Sequence, residues 1–211
     1  MSVSKEEFVE LLDQTIEYAE KGLRAKASRG LRSINAISLE QPRLLWDSPE
    51  VHKQGKAFIV MYHFDIFDSE EENIIIAQKA YVYTQRGIEL HGTTSPHSFN
   101  IFKNLAIVLK LCQDCFVDVV SLFYQKHGTN LTEEALKGSQ LLASRVLPYV
   151  LYQVLLEMTD AFDGFNNDSF LEDVCQELES EFPSISDKLV KEASNIRKLL
   201  HLHLSASLID S

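Results

Sequence analysis

The chain has 211 residues, of which 45% are hydrophobic, so it can bury a sizeable core in one large domain or two small ones. Its net charge of -11 argues against non-specific nucleic-acid binding, because such binding needs lysine and arginine to displace counterions from phosphates. The acidic start MSVSKEEFVELL lacks the basic and apolar segments of a secretory signal, and no apolar run reaches spanning length. With only three cysteines, these features predict a cytoplasmic protein that has reduced thiols and no membrane span.

The first 29 residues predict a single helix. Ser4 and Glu7 form the pattern of a capping box, in which each side chain bonds the backbone N–H of the other residue. The apolar residues that follow recur on one helical face, at Phe8, Leu11, Leu12, Ala19 and Leu23. The next segment, 30–55, contains two prolines and no sustained period, so we predict an irregular connector there.

Residues 56–92 predict a three-stranded antiparallel β-meander. From Lys56 the chain alternates with a period of two, which places five apolar residues on one face: Phe58, Val60, Tyr62, Phe64 and Ile66. The later stretch IIIAQKAYVYT is rich in β-branched and aromatic residues, and QRG is typical of a turn into IELHG. Because so small a sheet is marginally stable alone, we expect one of its faces to pack on helices.

Residues 95–208 predict a C-terminal bundle of about four helices. Ser95 and Pro96 suit the start of the first helix, and Pro148 should kink the second because it removes a backbone hydrogen bond. The approximate bounds of the four helices are 95–126, 132–162, 169–181 and 187–204. The simplest fold is a single α+β domain over residues 1–211, with an N-terminal helix, a small sheet and this bundle.

Two of the cysteines, Cys112 and Cys115, have the CxxC spacing that recurs in redox enzymes and zinc sites. Both fall mid-helix beside an apolar seam, whereas a redox pair normally begins a helix, where free amides lower the thiol pKa. Zinc would need two further ligands, and the sequence has no second CxxC and no HxxxH. Cys175 also lies on an apolar stripe. We therefore interpret all three cysteines as core residues and predict neither a metal nor a cofactor.

His63 and Asp65 are the candidate catalytic residues. Alternation places them on one face of the predicted first strand, where a carboxylate can set the tautomer of an imidazole for acid–base catalysis. In the competing interpretation these two polar residues simply lie on the more solvated side of a sheet that is covered on its other face. The segment HGTTSPHS, residues 91–98, gathers two histidines and four hydroxyl groups before a predicted helix N-terminus, which is a place suited to binding an anion. Any strand-to-helix connection uses the same residue types, however. Residues 160–173 resemble a calcium loop in composition, but Phe170 stands where the bidentate glutamate should be.

Charge is segregated along the chain. Residues 146–187 contain ten Asp or Glu and no Lys or Arg, whereas residues 21–32 contain only basic charged residues. These basic residues are the candidate partner-binding set: Lys21, Arg24, Lys26, Arg29 and Arg32. Arginine forms paired hydrogen bonds with carboxylate and phosphate, so the segment suits phosphate or an acidic partner surface. In the competing interpretation the two segments pair within the fold or across a homodimer, or water solvates both.

The leading hypothesis for function is a non-enzymatic intracellular adaptor or subunit of an assembly. No GxSxG, HExxH or other catalytic motif is present, and segregated charge suits the choice of a protein partner or of a second copy of the chain. The alternative is an enzyme or small-ligand-binding protein whose pocket lies between the sheet and the helical bundle. In that case His63, Asp65 and the segment 91–98 would act at the pocket.

Overall fold

The computed structural model describes residues 3–67, 69–92, 97–126, 132–182 and the single residue 191. The described residues are 82% helical, and none of them forms a β-strand. The predicted α+β fold with a three-stranded sheet is therefore wrong, whereas the predicted helical bundle agrees with the structure. The chain divides into two compact units, and the boundary falls between Asn104 and Leu105. The single domain predicted for the whole chain stays a prediction.

Helix α1 spans Lys5–Glu20 and begins as the capping-box pattern predicts. The Glu7 N–H donates to Ser4 Oγ at 3.1 Å, and the Ser4 N–H donates to Glu7 Oε2 at 2.9 Å. These bonds satisfy backbone donors that have no partner in the first helical turn. The helix buries one face, formed by Phe8, Leu12, Thr15 and Ile16.

Gly22 ends this helix well before residue 29. Its φ of 70° is left-handed, its N–H donates to Ala19 O at 3.0 Å, and the Leu23 N–H donates to Tyr18 O at 2.8 Å. This pair of bonds is a Schellman cap, which favours glycine because a Cβ is strained in that conformation. Helix α2 begins at once and spans Arg24–Glu40. The predicted helix 1–29 and connector 30–55 are therefore wrong, and the true connector is only 41–50.

Helices α3, Val51–His63, and α4, Glu70–His91, occupy the segment predicted as a β-meander. Residues 79–84 of α4 are all buried, so the middle of this helix has no solvent-facing side. A helix that is apolar all round shows little 3.6-residue period, and its β-branched and aromatic residues imitate a strand. Burial on every side of residues 79–84 is the physical reason that the strand prediction failed for α4.

Helix α3 packs extensively against α4, and it also contacts both α1 and α2. Gly55 lies against Thr84, where a Cβ would come 2.8 Å from the Thr84 backbone nitrogen. The Phe58 ring stacks on the Tyr83 ring with centroids 5.5 Å apart. The missing side chain at Gly55 therefore lets the two helices approach closely enough for their aromatic residues to pack.

The connector 41–50 is held against α4. Arg86 donates through Nε to Trp46 O at 3.0 Å and pairs with Asp47 at 3.1 Å, and its guanidinium lies 5.3 Å from the Trp46 ring centroid. The Tyr83 hydroxyl donates to Pro42 O at 3.0 Å. These contacts fix the backbone that leads into α3.

Helix α5 spans Ser98–Lys126 and ends where the sequence predicted. Its residues up to Asn104 belong to the first compact unit and the rest to the second. The predicted cap residues Ser95 and Pro96 lie outside the described residues.

The second unit contains a helical stretch that agrees with the predicted helix 132–162. Helix α6, Glu133–Leu141, continues through a π-helical segment, Leu142–Val146, into α7, Leu147–Ala161. The wider π turn lies directly before Pro148, whose ring would clash with the preceding turn of a regular α-helix. The sequence therefore located the irregularity in this helix correctly.

Helix α8 spans Ser169–Glu181, as predicted. The Leu171 N–H donates to Asp168 Oδ1 at 3.3 Å, so this carboxylate of the former calcium-loop candidate caps the helix. Lys110 of α5 pairs with Glu177 of α8 at 3.1 Å. Of the helix predicted over 187–204, the structure describes only residue 191, so that prediction is not tested.

Candidate functional site

The two candidate catalytic residues do not form a pair. His63 is the exposed last residue of α3, and Asp65 follows in a turn with a φ of 50°. The Asp65 carboxylate accepts from Asn73 Nδ2 at 3.0 Å. No hydrogen bond between His63 and Asp65 occurs in the described part of the chain, and without a strand the face that was expected to align them does not exist.

Two of the predicted partner-binding arginines hold the chain that follows α3. Arg24 donates to Phe64 O at 2.9 Å, and Arg32 donates to Ile66 O at 2.8 Å. The two guanidinium groups also lie 5.4 and 5.7 Å from the ring centroids of Phe64 and Phe67. Carbonyl groups at a helix C-terminus lack an intrahelical donor, so Arg24 supplies one. Both arginine side chains are nevertheless exposed and retain further N–H donors.

The other basic residues of this segment face solvent. Lys21 pairs with Glu17, and the hydrogen bond that its ammonium donates to that carboxylate raises the lysine pKa. Lys26 lies 5.2 Å from the Tyr18 ring centroid, and Arg29 is exposed. We call the exposed cations of helix α2 the α2 basic face: Arg24, Lys26, Arg29 and Arg32. Within the described residues none of these four has a carboxylate partner.

The cysteines show no redox or metal arrangement in the part that the structure describes. Cys112 is 9% exposed, which confirms its predicted core position, whereas the Cys115 side chain lies outside the described residues. Cys175 is half-buried, and burial together with Glu179 raises the pKa of its thiol. A raised pKa reduces the thiolate fraction that redox chemistry needs. No group of three or more His, Cys, Asp or Glu in the described chain is placed to hold a metal ion.

A cluster of three histidines is the feature that sequence reasoning missed. His91 and His97, from the segment proposed for an anion, meet His52 of α3, with ring centroids 4.9 to 6.2 Å apart. The Pro49 carbonyl accepts from His52 Nδ1 at 2.8 Å and from His91 Nε2 at 2.7 Å. Because a carbonyl oxygen only accepts, both nitrogens carry protons. Residues 93–96 of that segment lie outside the described chain.

The tautomer leaves Nε2 as the basic nitrogen of His52. Burial lowers the pKa of His52 below its ordinary 6.5, and His91 adds to this effect. His52 is therefore neutral at pH 7 and gains a proton only in more acidic solution or beside a new anion.

A cavity of about 520 Å³ lies beside this cluster, within the first compact unit. Its wall is formed by α1, α3, His97 and the first turns of α5, and it includes three lysines from two helices: Lys53, Lys56 and Lys103. Two histidines, two asparagines, two carboxylates and one isoleucine complete the wall. The cavity thus gathers more cationic groups than anionic ones.

Ion pairs fix two of these lysines. Lys53 pairs with Asp13 at 2.7 Å and with Glu50 at 2.9 Å, and Lys56 pairs with Glu20 at 2.7 Å. Burial acts to lower the pKa of Lys53, but its hydrogen bonds to Asp13 and Glu50 outweigh this effect and raise it. Lys53 therefore stays protonated throughout the physiological range.

The sequence did contain one signal for this cavity. Lys56 follows His52 by four residues and Lys53 by three, so its side chain neighbours both of theirs once the segment is known to be helical. The predicted boundary between a connector and a strand at Lys56 concealed this relationship. Lys103 is separated from them by a long stretch of sequence, and only the tertiary fold brings it to the same wall.

Comparisons with known protein families, with curated proteins and with solved structures give no match. In the described chain one helical stretch, Glu133–Ala161, is long and apolar enough to cross a bilayer. The most apolar window of this stretch is 53% buried within the protein, and core helices of proteins that never enter a membrane meet the same criterion. The α2 basic face and the cavity beside the three histidines are therefore the two candidate functional sites.

Proposed function

We propose that this protein is a non-enzymatic, cytoplasmic interaction module and that its α2 basic face captures an acidic partner protein. The observation that carries the proposal is the absence of a carboxylate partner for the four cations of this face within the described residues. Cations already neutralised by the fold would have little to offer a partner. Cations without internal ion pairs attract an acidic surface and align it during encounter.

The shape of the surface also supports a protein partner. Helix α2 buries Ala27, Leu31, Ile34 and Ser38 on its inner side. Arg29 lies on the opposite side, and Leu39 near the C-terminal end is 62% exposed. Interfaces combine apolar contacts with charged groups at their rim, and arginine bonds carboxylates through two parallel N–H groups. A helical segment rich in Asp or Glu with an apolar residue at one end complements this face.

Charge reversal at Lys26 and Arg29 tests the proposal without disturbing the arginines that hold the chain after α3. The variant Lys26→Glu/Arg29→Glu should capture the partner at least about tenfold less well, since two charge-assisted contacts become repulsive. The matched control is Lys5→Glu/Lys137→Glu, which makes the same net change at exposed lysines outside the face. Quantitative mass spectrometry of proteins captured by each tagged full-length variant gives the readout.

The expected result is an acidic protein that the native chain and the control capture and that the reversed variant loses. Equal capture by all three proteins would show that the α2 basic face is not part of the interface. Light scattering tests the predicted alternative of a homo-oligomer, in which residues 146–187 of a second copy supply the acidic surface. If the native chain self-associates and the reversed variant does not, the partner of the α2 basic face is a second copy of the chain and not another acidic protein.

A further inference from the structure

The cavity of the first compact unit has a lining suited to a ligand different from the partner of the α2 basic face. We infer that it binds a small soluble molecule that carries a phosphate group. Three lysines, two histidines and two asparagines converge on the cavity from α3, α5 and the turn before α5. Ammonium groups and amide N–H groups are the donors that bind phosphate oxygens.

The two carboxylates of the wall do not oppose this inference, because of where they lie. In both ion pairs the lysine is the more buried member: 25% of the Lys53 side chain is exposed against 54% for Asp13, and 39% of Lys56 against 61% for Glu20. The lysine side chains are therefore less exposed to solvent than the carboxylate side chains that pair with them. Because exposed ion pairs contribute little stability, a phosphate can replace each carboxylate while the carboxylate turns to water.

Neutral donors add directionality to this charge. Asn100 and Asn104 lie one turn apart on α5 and flank Lys103 along the same wall. The cavity volume of about 520 Å³ exceeds that of a phosphate ion and falls within the range of roughly 300–1,000 Å³ typical of small-molecule sites. Ile16 supplies an apolar contact for the remainder of the ligand. A phosphorylated small molecule fits these dimensions better than inorganic phosphate alone.

His52 makes the binding depend on pH. The charged and titratable groups that surround it are His91, His97, Glu50 and Lys53. A bound phosphate favours the protonated imidazole, whereas burial opposes it in the empty cavity. Binding therefore takes up a proton, and affinity rises as the pH falls toward the lowered pKa of His52 in the empty cavity.

Titration calorimetry of the full-length protein with inorganic phosphate and with sulfate tests the inference. Sulfate stays a dianion over the relevant pH range, so the pH dependence of its binding reports the protein alone. Lys103→Gln should weaken binding of both anions by about tenfold, as expected for loss of one charge-assisted hydrogen bond. Lys110→Gln is the matched control, because it lies two turns further along α5, outside the cavity wall. His52→Gln should flatten the dependence of sulfate affinity on pH.

Loss of binding in Lys103→Gln with retention in Lys110→Gln supports the site. Equal loss in the two variants would assign the binding to diffuse surface charge, and absence of heat with both anions would overturn the inference. Sedimentation with phosphatidylcholine vesicles that contain phosphatidic acid distinguishes a soluble phosphorylated molecule from a lipid headgroup as the ligand. Co-sedimentation that depends on Lys103 would overturn the assignment to a soluble molecule. The α2 residues are unchanged throughout, so this result is independent of partner capture.

Discussion

Replacement of Lys79 by methionine should make the first compact unit more stable at pH 7. Lys79 lies on α4 and is only 5% exposed. Its Nζ donates to Asn35 Oδ1 at 3.2 Å and lies 5.5 Å from the Phe58 ring centroid. No carboxylate pairs with it among the described residues, so burial lowers its pKa from 10.5 to about 8. Methionine keeps a similar volume and removes the buried charge.

The lowered pKa gives both the magnitude and the sign of the effect. The difference between 10.5 and about 8 corresponds to roughly 3 kcal/mol of stability lost at pH 7 relative to strongly alkaline solution. Between these two pKa values the unfolded chain binds more protons at Lys79 than the folded chain, so stability rises with pH in that window. Allowing for the lost bond to Asn35, we expect Lys79→Met to gain about 1–3 kcal/mol at pH 7.

Urea unfolding followed by the fluorescence of Trp46 measures this change, because the single tryptophan of the chain lies in the same unit as Lys79. The stability difference between Lys79→Met and the native protein should be largest below pH 8 and should shrink toward pH 10.5. Lys5→Met, at an exposed position in α1, is the control and should change little. A difference that stays constant from pH 7 to pH 10.5 would refute the assignment of a buried, charged lysine.

Four further substitutions test the packing and the caps. Gly55→Ala should lose about 1–3 kcal/mol of stability in the Trp46 assay, because its Cβ would meet the Thr84 backbone. Gly138→Ala, with open space around it, should gain up to about 1 kcal/mol of stability, measured by circular dichroism. Equal effects of the two substitutions would contradict the close approach of α3 and α4. Gly22→Ala should lose about 1 kcal/mol through the strain of its positive φ, and unchanged urea unfolding would exclude the Schellman cap. Ser4→Ala should lose about 1 kcal/mol with the capping box, and an unchanged midpoint would show that the cap contributes nothing.

The sequence predicted those elements whose signals are local. The capping box at Ser4 and the bounds of α8 depend on nearby side chains, and the structure confirms both. The middle of α4 was mistaken for a strand because burial on all sides removes the helical period there, and the two-residue alternation from Phe58 to Ile66 concealed α3. Gly22 is also a local signal, although the sequence prediction did not include it, since glycine followed by a new apolar period marks a helix end.

The candidate sites were less predictable because they depend on distant contacts. The basic segment 21–32 was visible as composition, but only the structure shows that Arg24 and Arg32 also contact the chain after α3. The cavity required residues from α1, α3 and α5 to meet, and no spacing in the sequence encodes that meeting. His63 and Asp65 were paired by a strand alternation that does not exist.

The most direct test of the proposed function is the salt dependence of binding between this protein and the purified acidic partner that capture identifies. Fluorescence anisotropy should give a dissociation constant that rises steeply with salt for the native chain and for Lys5→Glu/Lys137→Glu. The variant Lys26→Glu/Arg29→Glu should bind more weakly and with a shallower salt dependence. An unchanged slope and affinity in that variant would contradict the claim that the α2 basic face carries the interaction.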